Sequence, residues 1–495
     1  MQHKARVAFP VANQMPSSPN VKVMLNVGAG MDIPTGRWLP GKFGEQILNG
    51  GLAIVEAIAG KGNNFKSTIL EYKMHKAASR VVREMDTNIT THDTEENKDE
   101  DRITSLYQRI PEFADRDLFA EGVYVITGKS QLKGEQWWEN LKDFLENKKK
   151  NAKDLMVETP FLMRDRVTRL KIMQPTFSLV DSISEFETSD VSKILDENVI
   201  GDSAGNMVHM RAGLAKTRFL MEYPTQGIAN QHYLTMAGHW GKDGMIAQGP
   251  HSAPPEKKMN SMPQGEKVKG VPDKFYYLIH WAGLATGSRL HLNKDTRACD
   301  YPADEHDKEK GHTDLWLVPI TTLRSKFGSS SWSFNLLISQ AEGVQPGLTE
   351  FHMLKESRYG LDGNLINYWC DLIPDVKLSR SVIRGKINTN AKLRRAINIC
   401  SEMYQMTIFH RDIRYEIPSP KELYEKLKAA GYDWDMILGR TRGWWKPNNE
   451  SHPLLFLSTM DLINMAAGKY HPYWLEDDKK TIKPEYIVDE PYEFV

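Results

Sequence analysis

The sequence predicts an α/β fold, and three observations lead to this prediction. The chain has 495 residues, of which 40% are hydrophobic and 26% charged, so it can bury a large core. From about residue 21 to residue 373, short apolar runs typical of buried strands alternate with stretches of helical periodicity. After about residue 375 the pattern becomes mostly helical and rich in Trp. Alternating strands and helices indicate a mainly parallel sheet with helices on its faces.

Five apolar runs are predicted to be strands because each is short and continuous. In chain order they are 51–59, 176–181, 232–237, 314–320 and 332–339, and the predicted helices are 67–85, 135–148 and 204–222. In the tail, Ser419 and Glu422 form a capping box with Pro420 at the first helical position. Gly431 is expected to end that helix.

These patterns divide the chain into three parts. Residues 1–23 form a short arm, residues 24–375 the core, and residues 376–495 a smaller, mostly helical C-terminal domain without a motif that indicates its role. Polar stretches interrupt the core at 86–102 and at about 240–313. The second is too long for an ordinary loop, so we expect a long functional loop or an inserted subdomain there.

The net charge does not identify a class of partner, whereas the cysteine content indicates a reducing compartment. Lys+Arg and Asp+Glu are equal at 64 each, so any nucleic-acid surface must come from local segregation of charge. Three cysteines without a CxxC pair predict reduced thiols rather than a disulfide framework. There is no apolar run of ~18 residues and no signal-peptide pattern. We therefore expect a soluble, cytoplasmic protein with no membrane segment.

The sharpest motif is Gly60-Lys61-Gly62-Asn63-Asn64-Phe65-Lys66-Ser67-Thr68, which follows a predicted strand and opens a helix. In a phosphate-binding loop of this kind, backbone N–H groups point at the phosphates and the lysine neutralises the β- and γ-oxygens. A hydroxyl at the helix start binds Mg²⁺. Phe65 replaces the usual last glycine, and a loop without function is the alternative. The motif predicts a site for Mg²⁺ and a nucleotide.

Two carboxylates are candidates for the other functions that such a site requires, which are binding of Mg²⁺ and activation of water. Asp181 ends a predicted strand, where a Mg²⁺–nucleotide site requires an acidic residue, although a helix cap is the alternative. Glu95 is the candidate that orients or deprotonates the attacking water, a contribution of ~10²–10⁴ in rate. It lies in an acidic run from Asp93 to Asp101, which a solvated loop would also explain.

With these residues together, the chain resembles the RecA-type recombinases, most closely the phage UvsX-like members. In that group the loop characteristically reads F-K-S, as Phe65-Lys66-Ser67 does here. The resemblance runs from Met24 to Gly363 and implies a RecA-like P-loop ATPase core that binds ATP and Mg²⁺. It assigns Lys66 and Glu95 to catalysis, and Ser67 and Asp181 to the metal.

The same resemblance assigns further roles. His239, after the predicted strand 232–237, would sense the γ-phosphate. The predicted helix 204–222 resembles the helix after the first DNA-binding loop, which makes Arg211 and Lys216 candidates for DNA contacts. Phe9 and Ala12 have the Phe-x-x-Ala spacing of the tether between neighbouring subunits. The alternative is that Phe9 merely covers the core.

Residues 257–297 concentrate positive charge and aromatic rings. They contain eight basic and three acidic residues, which leaves an excess of five positive charges (8 − 3) in a neutral chain. Cations interleaved with flat rings suit a single strand, although a solvated loop over a buried strand at 275–281 is the alternative. The predicted DNA-binding residues here are Lys267, Lys269, Lys274, Tyr277, Trp281 and Arg289.

We therefore expect a DNA-dependent ATPase, a recombinase that forms helical filaments on single-stranded DNA and then engages duplex DNA. Copies of the chain and a loader or single-strand-binding protein are the expected protein partners. The alternatives are a RecA-fold hexameric helicase, which forms a ring, and a slowly hydrolysing ATP-binding assembly protein. The slowly hydrolysing assembly protein fits the absence of Lys and Arg from residues 338–345. The RecA-type family places cations there that reach a neighbouring subunit's ATP.

Overall fold

The computed structural model describes residues 25–32, 38–48, 50–81, 89–163, 165–187, 202–242, 266–326, 332–364, 366–409, 416–447 and 452–488. Phe9 and Ala12, in the predicted arm, lie outside these ranges. None of the helices in the described ranges is long and apolar enough to cross a membrane.

Strands and helices alternate through the first half of the chain. They are β1 (Trp38–Pro40), β2 (Gln46–Leu48), β3 (Val55–Gly60), α1 (Lys66–Val81), β4 (Ile89–Asp93), α2 (Glu100–Tyr107), β5 (Tyr124–Gly128), α3 (Gly134–Lys150), β6 (Met156–Leu162), β7 (Arg169–Met173), β8 (Thr176–Asp181), α4 (Asp202–Asn230) and β9 (His232–Lys242). The predicted strands 51–59, 176–181 and 232–237 correspond to β3, β8 and β9, and the three predicted helices correspond to α1, α3 and α4.

The next elements complete the region around the sheet. They are β10 (Glu266–Val268), α5 (Asp273–Leu278), β11 (Trp281–Ala285), β12 (Arg289–Leu290), β13 (Leu315–Ser325), β14 (Ser333–Ser339), β15 (Gly343–Val344) and α6 (Pro346–Ser357). The predicted strands 314–320 and 332–339 correspond to β13 and β14.

The C-terminal part contains five α-helices and five short strands in the described residues. Its elements are β16 (Leu361–Gly363), β17 (Asn367–Cys370), β18 (Ile373–Ser379), α7 (Ile383–Thr389), α8 (Ala391–Phe409), α9 (Pro420–Ala429), α10 (Trp434–Arg440), β19 (Thr441–Arg442), β20 (Leu455–Phe456) and α11 (Thr459–Ala466). The capping box of α9 is confirmed, because Ser419 N–H donates to Glu422 at 2.8 Å and Glu422 N–H donates to Ser419 Oγ at 3.3 Å. Gly431 follows that helix with φ of 89°.

Eleven strands form one central sheet in the order β15-β14-β13-β11-β3-β9-β8-β4-β5, with β10 beside β9 and β12 beside β13. The strands from β11 to β5 in this order are all parallel, and the others pair antiparallel. Every residue of β8 and of β11 is buried, as expected for parallel strands covered on both faces. The predicted α/β class is confirmed, with a mixed and mostly parallel sheet.

A second hydrophobic cluster joins one end of this sheet to the C-terminal helices. It combines side chains of β13, β14 and α6 with side chains of α8, α10 and α11. The C-terminal helices therefore share a core with the last strands of the sheet, which holds them against it by burial of apolar surface.

Two polar stretches contain sheet strands that the sequence did not predict. Within 86–102, β4 reads Ile-Thr-Thr-His-Asp, and Thr91 shares a hydrogen bond of 2.8 Å with the Tyr124 hydroxyl that satisfies its buried side chain. Within 240–313, β11 pairs with β3 at the centre of the sheet. The suggested strand at 275–281 is wrong, because α5 covers most of it and β11 begins only at Trp281.

Candidate functional site

The predicted site residues meet at one edge of the sheet because parallel strands end there. Gly60, the last residue of β3, pairs with His239 in β9. Asp93, the last residue of β4, pairs with Asp181, the last residue of β8. Ligands of open α/β sheets bind at the carboxyl ends of the strands. This register therefore places residues 60–68, named the phosphate loop below after their predicted function, at the edge where ligands bind.

The phosphate loop contains two left-handed backbone positions, with φ of 58° at Asn63 and 55° at Phe65. Asn tolerates this conformation, whereas for a bulky side chain it costs ~1–2 kcal/mol. Glycine has no such cost, which explains why phosphate loops usually carry it at the position of Phe65. The Phe65 ring packs against Trp316, with ring centroids 5.6 Å apart, and this contact offsets part of the strain.

Lys66 opens α1 and is buried in the loop that it follows. Its Nζ donates a hydrogen bond to the Lys61 carbonyl at 2.9 Å. Burial lowers the pKa of Lys66, while the negative charges of Asp181 and Glu95 raise it. Oxygen atoms of a phosphate would give this ammonium charge-assisted hydrogen bonds in place of the one neutral carbonyl.

Asp181 and Ser67 fit a magnesium site. Burial acts to raise the pKa of Asp181, but Lys98 and a hydrogen bond from Ser67 outweigh burial and hold that pKa below its usual value. The carboxyl group is therefore ionised at neutral pH and lies beside a hydroxyl at the start of α1. Mg²⁺ binds one or two such protein oxygens in nucleotide sites and takes its other ligands from phosphate and water.

Lys98 is a site residue that sequence reasoning missed. Its Nζ lies 2.8 Å from Asp181 Oδ2 and also forms an ion pair with Glu71 in α1. Burial opposes the charge of Lys98, but the two carboxylates raise its pKa well above the usual value. Lys98 supplies the positive charge that a metal ion would otherwise supply to Asp181. No local signal marked it, because the pairing of β4 with β8 creates this contact.

A tight turn after β4, residues 93–98, presents Glu95. Buried Asp93 accepts hydrogen bonds from the backbone N–H groups of residues 95–98 at 2.8–3.0 Å. On this turn, Glu95 Oε1 lies 2.7 Å from His239 Nε2. An ionised carboxylate only accepts, so Nε2 carries the proton of this bond. Glu95, the predicted base, and His239, the predicted γ-phosphate sensor, are 144 positions apart in the sequence and are thereby in direct contact.

A cleft of about 500 Å³ lies beside the phosphate loop. Its walls include loop residues 61–64, the segment 285–288 after β11, and the rings of Trp240 and Trp316. Ser288 ties the segment to the loop, since its hydroxyl donates to the Asn63 carbonyl at 3.0 Å. The volume is in the range of small-molecule sites, and the indole rings offer flat apolar surface for a base.

The predicted DNA-binding residues fall into three groups. Lys269, Tyr277 and Arg289 are exposed, and their contact with DNA stays a prediction. Lys216 and Trp281 are buried, at 2% and 3% exposure, so the predicted contacts of these two with DNA are not supported. The side chains of the remaining three lie outside the described part of the chain: Arg211, Lys267 and Lys274.

The contacts of the two buried residues give the physical reason for this correction. Lys216 Nζ donates to the carbonyls of Ile183 at 2.7 Å and Gly270 at 3.1 Å. Trp281 begins a central strand, and the ammonium of Lys73 lies 4.4 Å from its ring centroid. Side chains held in this way are not available to neutralise a phosphate or to stack on a base.

Away from this edge, one group of side chains in the described ranges could hold a metal ion. His306, Glu309 and His312 are exposed, and one potential ligand atom of each lies within 4.8 Å of the others. The group shares no residue with the pair Ser67 and Asp181.

Comparison with models of known protein families and with curated proteins finds no match to this chain. The functional interpretation therefore depends on the residues and geometry of the site.

Proposed function

We propose that this protein is an ATP-dependent, single-stranded-DNA-binding recombinase with a RecA-like core. The observation that carries the proposal is the contact of Glu95 with His239 at the sheet edge that also holds Lys66 and Asp181. Nucleotide hydrolysis needs a carboxylate positioned near a phosphate loop and a metal-side acid. A solvated acidic loop would not need a turn with four backbone hydrogen bonds to one buried carboxylate.

In this proposal each residue has a defined task. The loop backbone and Lys66 bind and neutralise the β- and γ-phosphates of ATP. Ser67 and Asp181 hold Mg²⁺, which supplies further charge neutralisation on the phosphate oxygens. Glu95 accepts a proton from the attacking water as the bond between the γ-phosphorus and the leaving oxygen breaks. His239 donates to Glu95 and keeps the carboxylate oriented.

Three exposed side chains support a DNA surface. Lys269 and Arg289 offer cations for phosphates, and Tyr277, which is 51% exposed, offers a ring for stacking. Arg289 directly follows the segment 285–288, which lines the cleft beside the phosphate loop. DNA bound at Arg289 would therefore act on a segment that contacts the nucleotide site, and this is a direct route to DNA-stimulated hydrolysis.

The resemblance to RecA-type recombinases suggests the proposed partners. They are copies of the chain in a helical filament, single-stranded DNA and then duplex DNA. One observation favours a second candidate, an ATP-binding assembly protein that hydrolyses slowly. Lys98 Nζ forms an ion pair of 2.8 Å with Asp181 Oδ2. A metal ion would have to compete with this ammonium for the same carboxylate.

ATP hydrolysis measured with and without single-stranded DNA tests the proposal. We expect stimulation by DNA in the wild type and a loss of at least ~10²-fold in Glu95→Gln. ATP binding without stimulated turnover would support the assembly protein instead. Absence of ATP binding in the folded wild type would rule out both candidates.

A further inference from the structure

A polar cavity lies between α1, α8 and the segment 26–32. Its volume is about 50 Å³, several times the ~10–15 Å³ that one water molecule needs. Its charged lining consists of four cationic and two acidic side chains: Lys76, Arg80, Arg394, Arg395, Asp32 and Glu402.

The two carboxylates of the cavity are already engaged by their own neighbours. Asp32 accepts hydrogen bonds from the N–H groups of Val27 at 2.6 Å and Gly28 at 3.0 Å. Glu402 accepts one from the Thr459 hydroxyl. Burial raises the pKa of both groups, that of Glu402 to about 7, so the negative charge of Glu402 is weakened at neutral pH.

Two of the four cations pair with carboxylates outside this lining: Arg394 forms an ion pair with Glu350, and Arg80 Nη1 lies 3.9 Å from Glu112. Lys76 and Arg395 form no ion pair within the described part of the chain.

Several N–H groups of the cations lack partners. Arg80 Nε and Arg395 Nε are buried without a hydrogen-bond partner in the described part of the chain. The same residues include no hydrogen-bond or ion-pair partner for Lys76 Nζ, and burial with repulsion from Arg80 lowers the pKa of Lys76 to about 7. Unpaired buried donors are costly, and buried positive charge is costlier. The cavity therefore provides the Lys76 ammonium and two guanidinium Nε–H groups that no acceptor in the described ranges satisfies.

We propose that this cavity binds one tetrahedral oxyanion of the phosphate class. Oxyanion oxygens accept the charge-assisted hydrogen bonds that Arg and Lys donate, which would satisfy these donors and pair the charges of Lys76 and Arg395. The volume admits a single phosphate group and excludes a nucleotide. A neighbouring cavity of about 100 Å³ shares Tyr72, Lys76, Pro346 and Arg394 with it. The group could therefore belong to free phosphate or to a phosphate monoester whose remainder lies in that second cavity.

The position of the site indicates what the anion would connect. Lys76 and Arg80 lie in α1, the helix that begins with Lys66 of the phosphate loop, whereas Arg394 and Arg395 lie in α8. A bound oxyanion would join the nucleotide-binding helix to the C-terminal helices. This interaction gives the C-terminal part, for which no motif indicates a role, a specific link to the nucleotide site.

The test uses the full chain carrying Lys66→Ala, so that the phosphate loop cannot account for phosphate binding. Thermal melting and calorimetry follow the addition of inorganic phosphate, and separately of glycerol phosphate, at constant ionic strength. We expect phosphate to raise the Tm, because a ligand that binds only the folded state stabilises it. A larger shift with glycerol phosphate would assign the site to a monoester, and an equal or smaller shift would assign it to free phosphate.

Adding Lys76→Met to this background should weaken phosphate binding at least ~10-fold. The variant loses a half-buried ammonium that has no ion pair within the described residues, so its Tm without phosphate should not fall. Lys142→Met is the matched control, because Lys142 is 44% exposed in α3, and it should leave the phosphate response unchanged. The proposal is overturned if phosphate does not bind the Lys66→Ala protein, or if Lys76→Met responds to phosphate as its parent does.

Discussion

Replacing Glu95 by Gln should slow ATP hydrolysis strongly and leave ATP binding intact. The Glu95 carboxylate accepts hydrogen bonds from His239 Nε2 at 2.7 Å and from Asn97 Nδ2 at 3.2 Å. Gln keeps the shape of the side chain but cannot take the proton of the attacking water. Loss of a general base lowers turnover by ~10²–10⁴, which corresponds to about 3 to 5 kcal/mol in the activation barrier.

His239→Ala should have a smaller effect. A hydrogen bond to a charged group contributes ~1.5–3 kcal/mol. Here the side chains of His239 and Glu95 are 29% and 30% exposed, so solvent weakens the contact. We therefore expect a loss of about 1 kcal/mol, or roughly fivefold in turnover. Because His239 acts through Glu95, its removal from Glu95→Gln should cost nothing further.

Single-turnover hydrolysis of ATP with single-stranded DNA present measures these effects in the wild type, both single variants and the double variant. Glu96→Gln is the matched control, because Glu96 is the adjacent carboxylate but accepts the Ser130 N–H at 2.7 Å. It should turn over as the wild type does. Normal turnover in Glu95→Gln would refute the assignment of the base. Losses that add in the double variant would refute the role of His239.

Three further predictions concern nucleotide, metal and DNA. Lys66→Ala should abolish tight binding of Mg-ATP in calorimetry with an unchanged melting temperature, and unchanged affinity would contradict the phosphate-loop assignment. Lys98→Met should lower the Mg²⁺ concentration needed for half-maximal hydrolysis, because Asp181 is then free of its ion pair; a higher requirement would show that Lys98 supports the metal site. Lys269→Ala should flatten the salt dependence of single-strand binding by ~0.7 in log–log slope, whereas Tyr277→Ala should cost ~1–3 kcal/mol with the slope unchanged. Fluorescence anisotropy across a salt series separates the last two effects, and wild-type behaviour of both variants would place the DNA elsewhere.

The strands that carry continuous apolar runs were predictable from the sequence, and so was the position of residues 60–68 between a strand and a helix. β8 was predicted with its observed bounds, because burial on both faces requires an apolar run that ends at Asp181. The position of Phe65 was recognised as a departure from glycine. Its cause, the left-handed φ and the contact with Trp316, required the structure, since Trp316 lies 251 positions away (316 − 65).

The missed elements have polar or small side chains whose burial depends on distant partners. β11 consists of Trp, Ala, Gly, Leu and Ala, a run too short and too weakly apolar to stand out among basic residues. Because it was not recognised, Trp281 was taken for an exposed ring. Lys98 was missed for a similar reason, since only the pairing of β4 with β8 brings it to Asp181.

The turn at residues 93–98 connects the two halves of the proposed catalytic site. Its backbone is tied to Asp93 by four hydrogen bonds, so Glu95 and Lys98 are held in one rigid unit. Glu95 reaches His239 in β9, while Lys98 reaches Asp181 in β8. A metal ion at Asp181 would weaken the hold of that carboxylate on Lys98, because both cations compete for the same oxygens. Release of Lys98 would let the turn at residues 93–98 move, and this movement would change the position of Glu95. The placement of the base would then depend on the metal site, so the ion pair that lowers the affinity for the metal would also couple metal binding to hydrolysis.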